Sequence, residues 1–261
     1  MRIHHLNCGT LRPPGESMVC HVLLLEVGER LVLVDTGFGT ADLRDPSRLG
    51  PARHLFRPLL RHEETAVARI RSLGRDPSAV SDVVLTHGDL DHAGGLVDVP
   101  QARVHLLAAE HRAVEHAHGL LPSQRYRPAQ WEHQPQIVPH LPGTVRWKGF
   151  EGCVDLSVVA PGMLLVPLPG HTAGHAGVAI PVDGGWLLHA GDAFHTATAL
   201  HRGTNRPDVR LRQGLLAHDE PALRSTQRRL GALASTQPQV RIINSHDRQL
   251  WERSTAAASS S

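Results

Sequence analysis

A short apolar run, Val83-Val84-Leu85, leads straight into Thr86-His87-Gly88-Asp89-Leu90-Asp91-His92, which places four potential metal ligands within six residues. Valine and leucine bounded in this way read as a buried strand, so the loop that follows is anchored at a sheet edge. Holding two carboxylates and two imidazoles against a buried strand is costly unless a cation neutralises the carboxylates and uses the imidazole lone pairs. Such a loop can also cap the next helix and stay solvated, and the segment alone leaves both readings open.

Other apolar runs end the same way. Residues 21–26 and 31–34 flank Val27-Gly28-Glu29-Arg30 as a hairpin that delivers Asp35-Thr36-Gly37. Residues 185–189 run into Ala190-Gly191-Asp192, and residues 240–243 into Asn244-Ser245-His246. Gly170-His171-Thr172-Ala173-Gly174-His175 is a glycine-pinched loop whose tight backbone can project an imidazole inward. Further strands are expected at residues 102–107, 164–167 and 177–180, and helices over 63–73, 108–118 and 220–233. Residues 39–60, which hold Phe56 and have room for a short helix, and residues 120–142, which hold Tyr126, read as long loops able to cover a site and touch a substrate. No repeat or linker interrupts the pattern, so residues 1–254 are expected as one domain and residues 255–261 as a disordered tail.

Composition narrows the classes. The 261 residues are 41% hydrophobic, enough for a sizeable core, and the net charge of +2 comes without a dense basic tract, so nucleic acid is not an expected partner. Residues 1–15, broken by His4, His5, Asn7 and Arg12, offer no apolar signal-peptide core, and no later stretch approaches a membrane span. Cys8, Cys20 and Cys153 are too scattered for a disulfide framework, which fits a reducing cytoplasm. The twenty histidines are the anomaly, since histidine is a scarce residue and a common metal ligand.

In their order along the chain these motifs resemble the metallo-β-lactamase superfamily, whose HxHxDH signature is followed by GHT, a bridging aspartate and a final histidine. The resemblance runs from Asp35-Thr36-Gly37 to Ser245-His246. It implies an α/β architecture, a four-layer αββα sandwich, with two divalent metal ions in a groove at one edge of the two sheets. By position it implies that His87, Asp89 and His171 hold the first metal, that Asp91, His92 and His246 hold the second, and that Asp192 bridges them. Asp35 and His175 are expected to orient ligands, with an ordinary structural role in the tight loop equally open for His175. The departure is Asp89, where the family pattern has histidine. A carboxylate there makes a harder, more negative position; zinc leads, manganese or iron gain ground, and the first site is weak if Asp89 does not reach. The same substitution resembles the flavodiiron and some phosphodiesterase-like branches.

Water shared between two cations becomes a hydroxide at neutral pH, able to attack a carbonyl or phosphoryl centre, with Asp91 as a proton acceptor. In the superfamily's N-acyl-homoserine lactone lactonases a tyrosine lies three positions after the bridging aspartate; here that position is His195, expected to protonate the leaving alkoxide. The GHTAGHAG and LLHAGD runs look most like that lactonase branch, so the expected substrate is a small-molecule ester or lactone. A phosphodiesterase, a thioesterase and a non-catalytic ligand-binding member stay open, as does homo-oligomerisation. Asp192 stands where some β-lactamase subclasses carry a cysteine ligand, which disfavours those.

Overall fold

The computed structural model describes residues 1–117, 125–202, 214 and 216–259. Its first sheet has the order β1 (Arg2–Leu11), β2 (Met18–Val27), β3 (Arg30–Val34), β4 (Val80–Val84), β5 (Arg103–Leu107) and β6 (Gln136–His140). The expected hairpin joins β2 to β3 with Val27 paired to Arg30, and Gly28 at φ 60° supplies the left-handed residue such a turn needs. The second sheet places β7 (Val145–Trp147), β8 (Phe150–Asp155), β9 (Leu164–Pro167), β10 (Ala176–Val182), β11 (Gly185–His189) and β12 (Val240–Ile243) side by side. Among the described residues the α-helical elements are α1 (Thr40–Arg44), α2 (Ala52–Phe56), α3 (Ala66–Ser72), α4 (Leu90–Ala93), α5 (Ala108–Glu115), α6 (Ala197–Arg202), α7 (Glu220–Thr236) and α8 (Arg248–Ser259).

Strand periodicity divides the apolar residues among three layers of core. Leu23, Leu25, Val32 and Val34 face Leu165, Val178, Ile180 and Leu187 between the sheets. Their neighbours Leu24 and Leu33 turn outward with Val83 and Val104 against Val67 and Ile70 of α3. On the far side Val166, Ala179, Leu188 and Ile242 pack with Leu230 and Leu233 of α7. Helix, sheet, sheet and helix make the four-layer αββα sandwich that the motifs implied.

Several local expectations need correction. Residues 2–11, for which the sequence pattern marks no strand, form the ten-residue β1, whose polar side chains find partners across β2. His4 pairs with Glu26 at 2.7 Å, His5 with His21 at 2.9 Å, and the Asn7 Oδ1 accepts the Cys20 amide at 3.2 Å. Within the long segment expected as loop, β6 adds parallel to β5; residues 120–124 of that segment lie outside the described residues. The helix expected from residue 63 begins at Ala66, where the Thr65 hydroxyl caps the Ala68 amide. The helix expected to reach residue 118 ends at Glu115, residue 118 itself being outside the described residues. Residues 255–259, expected as disordered, continue α8, while residues 260–261 lie outside the described residues. Among the described residues no helix is long and apolar enough to cross a membrane, and the three cysteines are buried and free.

Two parallel pairs, β3 with β4 and β11 with β12, sit in different sheets and present their carboxyl ends at the loops carrying Asp35, His87, Asp192 and His246. Carboxyl ends of adjacent parallel strands are a natural place to assemble a site, since every loop there leaves from a fixed strand.

Candidate metal centre

The strand-end side chains converge. His87 Nε2 lies 3.3 Å from Asp89 Oδ2, and His171 Nε2 lies 3.2 Å from the same oxygen. His246 Nε2 stands 3.1 Å from Asp192 Oδ2 and 3.6 Å from Asp91 Oδ2. Asp192 faces both groups: its Oδ2 is 3.6 Å from His171 Nε2 and its Oδ1 is 3.5 Å from His92 Nε2. All seven residues picked out as ligands in the sequence are thus brought together.

Hydrogen bonds of His171 to Asp89 and of His246 to Asp192 account for only part of this gathering. His87 Nε2, His92 Nε2, Asp89 Oδ1 and Asp192 Oδ1 are buried without a hydrogen-bond partner, a state that costs about 1–3 kcal/mol per group. Donor atoms of His87, Asp89 and His171 lie within 4.8 Å of one another, as do those of His87, His92 and Asp192. Unpartnered imidazole nitrogens and carboxylate oxygens aimed at shared space are the donor set of a divalent cation, so these residues fit the metal that the motifs imply. Cys20 Sγ joins Asp91 and His246 at the same spacing; burial holds its thiol well above the usual range, which favours an inert neutral neighbour over a thiolate ligand.

Electrostatics point the same way. Burial alone would depress the His92 imidazolium, but the carboxylates of Asp192, Asp35 and Asp91 outweigh it and push it up to about 10. At His246 burial is likewise overcome, by Asp192 and Asp91, and the imidazolium rises to about 9. Burial would raise the Asp89 and Asp192 carboxyls, yet Arg125 and His87 beside the first, and His246 and His92 beside the second, hold both well below the carboxylate range. The carboxylates therefore demand positive charge at this spot, while burial favours the neutral form of His171 and of its neighbour His175.

A surrounding layer fixes the orientation of these groups. Asp35, in the left-handed region at φ 59°, accepts the Thr86 amide and the Thr86 hydroxyl, each at 2.8 Å, and the His92 Nδ1–H at 2.9 Å. That leaves His92 Nε2 turned toward Asp192. His246 Nδ1 donates to the Val19 carbonyl at 2.8 Å, which turns its Nε2 inward as well. His175 spends both nitrogens: Nδ1 donates to the Leu168 carbonyl at 3.0 Å and Nε2 accepts the Asp192 amide at 2.9 Å. Its part is to hold the Asp192 turn, and a Cβ on Gly191 would come within 2.6 Å of that Nε2. Asp35→Asn, which turns an amide N–H toward one of the donors, is expected to weaken metal binding about 10- to 100-fold. Chelator competition would measure this, and unchanged affinity would mean that His92 needs no such partner.

Sequence patterns leave Glu110 unmarked, yet it is the strut of the site. From the first turn of α5 its Oε1 accepts the Gly88 amide at 2.9 Å and the Tyr126 hydroxyl at 3.0 Å. Its Oε2 accepts the Thr172 hydroxyl at 2.6 Å and the Gly174 amide at 2.9 Å. One buried carboxylate thus ties the loop of His87 and Asp89 to the loop of His171. An acidic residue in a first helical turn ordinarily just complements the helix dipole, so nothing in the local pattern signals this burial.

The residues expected at the substrate fare differently. Tyr126 is buried, its hydroxyl committed to Glu110, and its ring closes over Gly88, so it supports the metal loop from behind. Phe56 is half-buried against the apolar cluster of Leu11, Phe38, Leu49 and Leu90, the last of which lies between Asp89 and Asp91. His195 Nε2 meets the Glu16 carboxylate at 2.8 Å, and its carbonyl accepts from Asn244 Nδ2 at 2.9 Å. The two long segments are locked together through buried Asp42, which accepts Gln130 Nε2 at 2.9 Å and Arg48 Nε at 3.3 Å.

Comparison with known proteins matches this geometry. A model of the metallo-beta-lactamase superfamily covers residues 17–246. A probable metallo-hydrolase of Mycobacterium tuberculosis is 44% identical over 259 residues, spanning 97% of this chain and 82% of the relative. The N-acyl homoserine lactonase AttM of Azorhizobium caulinodans is 28% identical over 227 residues, 84% of this chain and 78% of its own. Among solved structures, an N-acyl homoserine lactone hydrolase with N-hexanoyl-L-homoserine at its catalytic metal centre superposes with a TM-score of 0.69 at 20% identity, covering 97% of this chain and 95% of that one. That likeness carries the fold, and the agreement of family model and relatives over nearly the whole chain carries the rest: the protein belongs to the metallo-beta-lactamase superfamily and is a metal-dependent hydrolase.

Proposed function

We propose that the chain is a dinuclear metallo-hydrolase of esters or lactones, N-acyl-homoserine-lactone-like in kind. In this reading His87, Asp89 and His171 would hold one cation and Asp91, His92 and His246 the other, with Asp192 as the carboxylate shared by the two sets. The observation that carries this reading is the set of buried, unpartnered donor atoms on His87, Asp89, His92 and Asp192. The harder donor set at Asp89 suits zinc while favouring manganese or iron more than three histidines would. When bound, divalent cations supply Lewis acidity toward the substrate carbonyl and acidify water.

The chain's own residues then divide the work. Asp91 takes the proton released as water adds to the carbonyl carbon. His195, its Nε2 2.8 Å from the Glu16 carboxylate, gives a proton to the alkoxide as the ester C–O bond breaks. Phe56, the partly exposed ring at the edge of a buried apolar cluster, offers an apolar contact for the acyl part of a substrate. The lactonase names among the relatives support this choice of substrate.

Turnover of a lactone, an ester, a thioester, a β-lactam and bis(p-nitrophenyl) phosphate by the metal-loaded protein tests the reading. Lactone or ester turnover is expected to exceed the others, and inactivity on all of them with two metals bound would sink it. His195→Phe is expected to lower turnover about 10²- to 10⁴-fold with metal content unchanged, the range of a lost general acid. Equal turnover would remove His195 from the reaction.

A further inference from the structure

Asp89 stands where the family pattern has histidine, so this position trades a neutral ring for an anion. Among the described residues, one permanently charged side chain answers that charge. Arg125 Nη1 donates to Asp89 Oδ2 at 3.1 Å and to the His171 carbonyl at 3.2 Å, and its Nη2 donates to the Leu216 carbonyl. Arg125 retains only 20% exposure, and Asp89 is its one ion-pair partner among the described residues. A guanidinium cannot shed its proton in a protein, so this charge is permanent. The oxygen it grips is the one that faces both His87 and His171, while Asp89 Oδ1 is buried with no hydrogen-bond partner. One carboxylate oxygen is thus shared between a fixed guanidinium and two imidazoles, while its twin is left without a hydrogen-bond partner.

We propose that Arg125 is the positioning residue that makes an aspartate workable at position 89, supplying the charge the extra carboxylate calls for and setting the affinity and selectivity of the first cation position. The proposal rests on the ligand reading above. It has a consequence that a merely structural arginine would not: Asp89→His cannot by itself recreate a three-histidine position. It leaves a largely enclosed guanidinium facing a neutral ring with divalent cations beside it, an arrangement that a low dielectric penalises. Removing the arginine as well relieves that repulsion.

The test is a cycle of the unmodified protein, Asp89→His, Arg125→Met and the double variant, read as zinc and manganese dissociation constants by chelator competition. Thermal melting of the metal-free proteins checks that each is folded. Asp89→His alone is expected to weaken binding of both cations by at least about tenfold, and in the Arg125→Met background to weaken zinc by no more than about threefold, as coupled neighbours do. Zinc preference over manganese should rise in the double variant. Should Asp89→His fail to fold, Asp89→Asn, isosteric and uncharged, takes its place in the cycle with the same expected coupling. Fold-changes that simply multiply, in a protein whose unmodified form binds both cations, would overturn the role of Arg125. Absence of zinc and manganese binding by the unmodified protein would instead overturn the ligand reading beneath it.

Discussion

Asp192→Ala is expected to lower hydrolytic turnover by about 10³-fold or more and to deplete bound metal, because it removes the carboxylate facing both donor groups at once. Its Oδ2 lies 3.1 Å from His246 Nε2 and 3.6 Å from His171 Nε2, and its Oδ1 lies 3.5 Å from His92 Nε2. Loss of a Lewis-acid site is worth several kcal/mol of barrier, and each 1.4 kcal/mol is about tenfold in rate. The turn itself should survive. The Asp192 amide, which the substitution keeps, is what bonds His175 at 2.9 Å, and Gly191 keeps its left-handed backbone. Asp192→Asn sharpens the test by preserving volume and one acceptor oxygen while removing the charge. Metal analysis and turnover measured together should show both variants losing metal and rate in parallel. Full activity in the alanine variant would contradict the assignment of Asp192, whereas lost activity with full metal content would move its role from binding to chemistry.

What made Asp192 legible is local. An apolar run such as Trp186-Leu187-Leu188 buries itself as a strand, and a ligand-type side chain at its end must then sit at a sheet edge. The same logic exposed Asp35, His87 and His246, because each is announced by the strand before it. The hidden strands failed that test for identifiable reasons. In β1 the polar residues His4 and His5 are satisfied by Glu26 and His21 on the neighbouring strand, pairings that no local window contains. β6 includes Pro139, tolerated because β6 is the last strand of its sheet among the described residues. The final helix did carry a signal in Ala256, Ala257 and Ala258, the strongest of helix formers, which the flanking serines and threonine obscured.

Around the site the boundary of legibility is chemical. Metal ligands come in recognisable residue types at recognisable spacings, whereas the groups that hold them are single polar residues defined only by distant partners. Arg125 reads as one arginine among many until the fold sets it 3.1 Å from Asp89, 36 positions earlier in the chain. Tyr126 looked like a group for a substrate because it stood alone in a proline-rich segment; the fold turns its hydroxyl onto Glu110 instead. Asp89 gains the most from the structure. Its side chain does reach His87 and His171, and the anomaly that it represents in the motif comes with a cation of its own.

Glu110→Ala is expected to be the most damaging substitution outside the donor set, for reasons of both stability and metal affinity. It leaves the Gly88 and Gly174 amides and the Thr172 and Tyr126 hydroxyls without their acceptor in a buried place. At about 1–3 kcal/mol for each unsatisfied group, and allowing for incomplete additivity, a loss of about 4 kcal/mol or more is expected. With about 2–4 °C per kcal/mol for a domain of this size, the melting temperature should fall by about 10 °C. The two metal loops would lose their common strut, so metal affinity should fall as well, by about 10- to 100-fold. Glu110→Gln separates the contributions. Its single acceptor oxygen can serve only one loop, and its NH₂ must face the other; the threonine and tyrosine hydroxyls can rotate to accept from it, but a backbone amide cannot. Glutamine should therefore cost one buried amide, roughly 1–3 kcal/mol, and destabilise less than alanine does. Added metal should restore part of the lost melting temperature in both variants, since a ligand that binds only the folded state stabilises it by mass action. A Glu110→Ala protein that melts and binds metal like the unmodified one would show that the two loops hold their positions without it.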